Sequence, residues 1–111
     1  MLRPVDERFT AVVEHLRGRT GVAGPDGSRR FGAAALQVDG AIFAMQKDGA
    51  LVLKLPEQRV AELLAQGRGA PFGAGRGRPM REWVSVADGD TPAWVALAEE
   101  ALAFVSGRRP G

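Results

Sequence analysis

The 111-residue chain is 45% apolar and 25% charged, which favours one globular domain over residues 1–111 and excludes wholesale disorder. With no cysteine and one histidine, His15, the chain cannot form disulfides and lacks the donors of a Cys/His zinc site and the thiolate of a cysteine enzyme. Its formal net charge of +2 is too small to predict a general affinity for nucleic acid.

The first predicted element is an amphipathic helix that begins at Val5 and ends near Gly18. Its apolar residues recur at helical spacing, at Val5, Phe9, Val12, Val13 and Leu16. His15 lies off the centre of this stripe, with no titratable partner nearby in the sequence, so we expect a surface side chain rather than a catalytic or metal-binding one. The first eight residues lack the apolar segment of a signal peptide and are too acidic for a transit peptide, which predicts a cytoplasmic location.

A surface loop, rich in glycine, is predicted over residues 19–29. After it come three apolar stretches that are compatible with strands: Ala33 to Val38, Ala41 to Lys47 and Ala50 to Leu55. The pairs Asp39-Gly40 and Asp48-Gly49 separate these stretches, and Asp-Gly favours the type I′ hairpin turn, which needs positive φ at both central residues. The pattern predicts a three-stranded antiparallel meander.

Two-residue turns would also fix which residues share a face of this meander. One face would then carry Ala34, Leu36, Phe43, Met45, Val52 and Lys54, and the other would carry Ala35, Ile42, Ala44, Leu53 and Leu55. Both faces are mostly apolar, so either helices cover both or one face meets another chain. We therefore expect a protein partner, most simply a second copy in a symmetric homodimer.

The second half of the chain predicts two helices and one further strand. A brief helix runs near Pro56 to Gln66, and a Gly/Arg-rich loop follows over residues 67–79, within which Ala70 to Phe72 can pair briefly at a sheet edge. A strand from Met80 to Val86 alternates, with Arg81, Trp83 and Ser85 on its more polar side. The last helix begins at Thr91, the expected N-cap, and a frayed tail covers residues 107–111.

This order of elements and three stretches of sequence resemble the N-terminal domain of TfoX/Sxy-family proteins and the related MmcQ/YjbR family. The stretches are Phe31 to Met45, Leu51 to Pro56 and Gly77 to Val84. The resemblance implies a two-layer α+β fold of the secretion-chaperone-like kind, with helix-strand(3)-helix-strand(1-2)-helix order and no known catalytic site. TfoX proteins are associated with control of bacterial competence genes, and YjbR-like proteins are often described as DNA-binding.

The Gly/Arg-rich loop supplies the candidate contacts to an anion or nucleic acid, which are Arg68, Arg76, Arg78 and Arg81. No Gly-Lys-Ser/Thr follows as in a Walker loop, and the segment leads into a strand, unlike a dinucleotide fingerprint. The alternative is a solvated loop without a ligand. Trp83, beside Arg81, is the candidate interaction aromatic, which can stack on a base, anchor a protein contact, or pack beneath the last helix or the Gly/Arg-rich loop.

The sequence predicts no catalytic, cofactor-binding or metal-binding residues, and therefore no cofactor. Glu99 and Glu100 are adjacent on a helix and point in different directions, so they do not form an acid pair. We expect a non-catalytic protein-interaction or regulatory module that does not enter a membrane. The alternatives are a weak nucleic-acid or anion-binding protein that uses the Gly/Arg-rich loop and, third, an unrecognised enzyme.

Overall fold

The computed structural model describes residues 7–23, 34–47, 49–73 and 79–107, which form three helices and six strands. In chain order these are α1 (Glu7–Leu16), β1 (Val22–Ala23), β2 (Ala34–Val38), β3 (Ala41–Lys47), β4 (Ala50–Lys54), α2 (Glu57–Ala65), β5 (Ala70–Gly73), β6 (Pro79–Val86) and α3 (Thr91–Gly107). The strands form one antiparallel sheet in the order β1-β2-β3-β4-β6-β5. The predicted α+β class is therefore confirmed.

The core lies between one face of the sheet and the helices. Every second residue along β4 faces this core, as the alternation of side chains in a strand requires. These residues are Leu51 and Leu53 of β4 and Leu55, which follows it. Helix α3 packs across β2, β3 and β4, α2 packs on β5 and β6, and α1 packs against α3. The fully buried Trp94 of α3 is the largest side chain in the core. No helix within the described ranges has the length and apolar character needed to cross a membrane.

The two-residue turns of the predicted meander are confirmed. Val38 pairs with Ala41 across the first turn, and Lys47 pairs with Ala50 across the second. In the first turn Asp39 has a φ of 52° and Gly40 a φ of 88°, the two positive values that a type I′ turn requires. Asp48 lies outside the described residues.

The predicted faces of the first hairpin are wrong because β3 contains a β-bulge. Leu36 pairs with Ala44 rather than with Phe43, and the register shifts between Leu36 and Gln37. The extra residue lets Phe43 and Ala44 both enter the core. Met45 lies on the other face, opposite Val52, so the expectation that Phe43 and Met45 share a face is also wrong.

Two predicted loops contain short strands. Within the loop predicted over 19–29, Val22 pairs with Val38 and packs against the core, so the first part of that loop belongs to the sheet. Within the loop predicted over 67–79, β5 forms the edge beside β6, which confirms the edge pairing predicted for Ala70 to Phe72. Strands of two and four residues are too short to give a periodic signal. Residues 24–33, 74–78 and 108–111 lie outside the described part. Helix α3 includes Gly107, the first residue of the predicted tail, and the other four tail residues are not described.

The third helix begins one residue earlier than its predicted cap implies. The Asp90 side chain accepts a hydrogen bond from the Ala93 backbone N–H at 3.0 Å, and the Asp90 carbonyl accepts one from Trp94 at 3.0 Å. Thr91 is already helical. Asp90 is therefore the N-cap, and the prediction of Thr91 in that role is wrong.

Candidate interaction surface

Opposite the helix-covered core, the sheet has a second face that carries no helix among the described residues, and we call it the open face. Ala50 and Val52 of β4 project to it. They are only 5% and 1% exposed, yet they do not belong to the helix-covered core. Ile42 of β3, also on this face, is 38% exposed and is one of two large apolar side chains that are exposed in the described residues. The sheet thus has apolar side chains on both faces, and on the open face Ile42 is exposed whereas Ala50 and Val52 are buried.

A continuous row of side chains crosses five strands at the middle of the open face. The cross-strand pairs that build it are Ala35 with Met45, Met45 with Val52, Val52 with Ser85, and Ser85 with Ala70. Four of these five side chains are alanine, serine or valine, and we call this row of side chains the central trough. Four inter-strand spacings give it a length of about 19 Å.

Larger side chains border the central trough where β4, β6 and β5 lie side by side. Lys54 pairs with Trp83, and the Trp83 ring lies 6.2 Å from that of Phe72, tilted by 47°. The Lys54 ammonium lies 5.6 Å from the centre of the Trp83 ring, within the range of a cation–π interaction. Trp83 and Phe72 are both partly exposed and do not join the core. Trp83 therefore does not pack beneath the last helix.

The charged side chains of the open face are cations. Lys47, Lys54 and Arg81 occupy its strand positions, and no Asp or Glu does so in the described strands. The Lys54 ammonium is 3.8 Å from the Glu82 carboxylate, and the Arg81 guanidinium is 3.6 Å from the Glu57 carboxylate, so neither pair is within hydrogen-bonding distance. The exposed Lys47 forms no ion pair within the described part of the chain.

The predicted anion contacts are only partly described. Arg76 and Arg78 lie outside the described residues. Arg68 is exposed just after α2, where its backbone N–H donates to the Leu63 carbonyl at 2.9 Å. Arg81 is on the open face, two residues before Trp83 on β6, with 81% of its side chain exposed. The structure therefore places one predicted cation beside the predicted aromatic and puts Arg68 on a different element.

Another ionic cluster joins α1 to α3 on the helical side of the molecule. Glu99 accepts a hydrogen bond from Arg19 at 2.8 Å, and the same oxygen lies 2.6 Å from Nε2 of His15. The hydrogen bond from Arg19, followed by that from His15, lowers the pKa of Glu99 below its ordinary value. His15 is a surface side chain, as expected, but 84 residues separate it from the carboxylate that it meets.

Helices α2 and α3 are joined by a second ionic cluster. The Arg59 guanidinium donates to both oxygens of Glu100, at 2.9 and 3.2 Å, and to Glu62 at 3.0 Å. The hydrogen bond to Glu100 is the main cause that raises the pKa of Arg59 above its ordinary value. Glu99 and Glu100 thus face different neighbours, as predicted, and each stabilises a contact between helices.

Neither cluster has the composition of a metal site, because the described residues contain no group of three or more His, Asp and Glu side chains that could hold an ion. Comparisons with protein-family models, with curated proteins and with solved structures found no match to this chain. The function is therefore argued from the open face itself.

Proposed function

We propose that this protein is a non-catalytic, cytoplasmic interaction module with a regulatory role similar to that of the TfoX N-terminal domain, and that the open face binds its protein partner. The observation that carries the proposal is the central trough, a row of mostly small side chains that continues across five strands. A broad, shallow and apolar surface suits contact with another protein, whereas a small substrate is usually bound in a deep pocket.

Side chains suited to anchoring a partner lie beside the trough. Trp83 and Phe72 are partly exposed and in contact with each other, and Ile42 is exposed on β3. Tryptophan is among the residues that contribute most to binding energy when a partner covers them. The partner would remove these rings and Ile42 from water.

A second candidate function is nucleic-acid or anion binding, the alternative that the Gly/Arg-rich loop suggests. The specific observation in its favour is that Arg81 and Lys54 lie next to the Trp83–Phe72 pair, since bases stack on aromatic side chains beside cations. One aromatic pair offers a short platform, however, and a chain of net charge +2 attracts a polyanion weakly. The protein-binding proposal is therefore preferred.

Site-specific photo-crosslinking in the native host tests the proposal. The photoreactive residue benzoylphenylalanine replaces Ile42 on the open face or, as the control, Ala103, an exposed residue of α3. We expect a covalent protein adduct from position 42 and none from position 103. Equal adducts from both positions, or adducts from position 103 alone, would contradict a docking role for the open face.

Replacing Trp83 gives a second measurement that separates binding from folding. Because Trp83 lies outside the core, Trp83→Ser should leave the circular dichroism spectrum unchanged. The adduct from position 42 should nevertheless decrease by about tenfold or more, since an aromatic anchor commonly contributes about 2 kcal/mol to binding. An undiminished adduct would show that the partner does not contact the aromatic end of the face.

A further inference from the structure

The charges around the central trough point to the chemistry of the partner. We infer that the open face binds a protein segment in which carboxylate side chains flank apolar ones, an acidic apolar segment. This inference rests on the proposed function, because it names the partner class for the same surface.

The two lysines of the open face are the only lysines in the sequence, and they lie on opposite sides of the central trough. Lys47 is two residues from Met45 along β3, and Lys54 is two residues from Val52 along β4. Met45 and Val52 pair with each other inside the trough. At about 3.4 Å per residue, each ammonium-bearing residue is therefore about 7 Å to one side of the trough.

Both lysines are available to an incoming carboxylate. Lys47 is exposed and forms no ion pair in the described part of the chain. Lys54 forms an ion pair with Glu82 at 3.8 Å, which is too long for a hydrogen bond, so its three donors can still bind a carboxylate of the partner. A carboxylate placed beside Trp83 would approach Lys54 where the aromatic ring already shields it from water.

Small or apolar side chains form the central trough between these cations. Val52 is buried, with 1% of its surface exposed, whereas Ala35, Met45 and Ser85 are partly exposed and Ala70 is exposed. Apolar side chains of a partner can contact these accessible side chains without displacing a charge. A segment whose carboxylates flank these apolar side chains would bring an acid toward a lysine on either side.

A second copy of this chain is the main competing occupant, and the cations argue against it. A symmetric dimer through the open face would place Lys47, Lys54 and Arg81 of each protomer against a surface with the same charges. Juxtaposed like charges destabilise an interface, whereas an acidic partner satisfies them. The homodimer expected from the sequence remains a prediction, but the charge pattern favours a different partner at this face.

Selection from a random peptide library tests the inference with the full chain. An extended peptide needs about six residues to span the trough, so displayed peptides of about ten residues suffice. We expect the enriched peptides to carry net negative charge and at least two large apolar residues. The Lys47→Glu/Lys54→Glu double variant should enrich basic peptides instead. Arg17→Glu, a charge reversal on the helical side, is the control and should enrich the same acidic peptides as the unaltered protein.

A synthetic peptide of the enriched sequence then gives a quantitative comparison. Its affinity should decrease by about tenfold or more on Lys54→Glu and by less than about twofold on Arg17→Glu. Binding should also protect Trp83, but not the buried Trp94, from quenching by acrylamide. If the double variant does not fold, Lys47→Gln and Lys54→Gln serve in its place, and each should lose the preference for acidic peptides.

Three results would overturn the inference. Peptides with no charge bias, or a bias that the double variant leaves unchanged, would show that the lysines do not select the partner. A dimer in sedimentation equilibrium that the peptides dissociate would show that a second copy occupies the face. Oligothymidine that binds at physiological salt and displaces the peptides would identify a nucleic-acid site. If adducts still form at position 42, such results reject the acidic segment but keep the docking function.

Discussion

At position 40 the backbone turns with a φ of 88°, and a Cβ added there would meet no atom within 4 Å. The cost of a side chain at this position is therefore backbone strain alone. We expect Gly40→Ala to lower the free energy of unfolding by about 1 kcal/mol, and Gly40→Val by more, because β-branched residues disfavour positive φ further. Urea denaturation of each variant measures the change.

Gly18 provides the matched control for this prediction. A Cβ added at Gly18 would also meet no atom within 4 Å, but the φ of Gly18 is not in the left-handed range. Gly18→Ala should therefore change the free energy of unfolding by less than about 0.5 kcal/mol. A loss at Gly18 as large as that at Gly40 would mean that positive φ is not what the hairpin requires.

Glu99 gives a prediction about pH. Its pKa is lowered in the folded protein, so its ionised form is favoured by folding. The stabilisation is present above the ordinary carboxyl pKa of 4.5 and decreases as the pH falls toward the lower folded value. Because the group is well exposed, its contribution should stay below about 1 kcal/mol. Glu99→Gln should therefore reduce stability near neutral pH and make no difference at strongly acidic pH.

Urea unfolding at a series of pH values measures this difference, and Arg19→Gln is the companion variant. Since the hydrogen bond from Arg19 is the largest cause of the shift, Arg19→Gln should remove much of the same pH dependence. A Glu99→Gln effect that persists unchanged below the carboxyl range would show that the side chain acts by packing instead of by charge.

Among the elements, α3 has an N-cap residue, Asp90, that could not be identified from the sequence alone. Asp90 and Thr91 are both good N-cap residues, and only the hydrogen bond from Ala93 distinguishes them. Asp90→Ala should destabilise the protein by about 1 kcal/mol, whereas Thr91→Ala should cost less than about 0.5 kcal/mol. Chemical denaturation compares the two variants, and a larger loss from Thr91→Ala would restore Thr91 as the cap.

The meander shows how far sequence patterns reach at this scale. Asp-Gly pairs determine the turns locally, so both two-residue connections were predictable. The bulge at Phe43 was not, because residues 41–45 are all apolar and the sequence therefore does not show where the alternation is broken. The pairing of β6 between β4 and β5 was likewise hidden, since it depends on contacts between distant segments.

The candidate surface was also predictable only in part, because local patterns indicate it and long-range pairing completes it. An apolar pattern on both faces of the meander indicated a surface beyond the core, and Trp83 stood out as an aromatic on the more polar side of its strand. Its contact with Phe72 and its pairing with Lys54 needed the sheet order. The Arg59–Glu100 and Arg19–Glu99 contacts could not be predicted, because the paired residues are 41 and 80 positions apart in the sequence.

At the scale of the whole molecule, the helical side and the open face of the sheet differ in the charges that they carry. The carboxylates of Glu62, Glu99 and Glu100 are used in ion pairs on the helical side. The strand positions of the open face instead carry Lys47, Lys54 and Arg81 and, in the described part of the chain, no Asp or Glu. A protein of net charge +2 can thus present a locally positive surface. This local excess suits a short acidic segment better than a long polyanion, whose binding depends on many phosphate contacts.

The alternative of nucleic-acid binding through the Gly/Arg-rich loop leads to a quantitative prediction about salt. Each phosphate contact that an arginine makes contributes about 0.7 unit on a single strand, or about 0.9 unit on duplex DNA, to the slope of log affinity against log salt concentration. Replacing Arg76, Arg78 and Arg81 together by Ala would therefore reduce that slope by about two to three units if the three residues bound phosphates. We expect instead that labelled oligothymidine binds weakly at low salt, with nearly the same slope for the unaltered protein and the triple variant. Fluorescence anisotropy over a salt series measures both slopes. A submicromolar, salt-dependent complex that the triple variant abolishes would make nucleic-acid binding the function of this protein in place of docking at the open face.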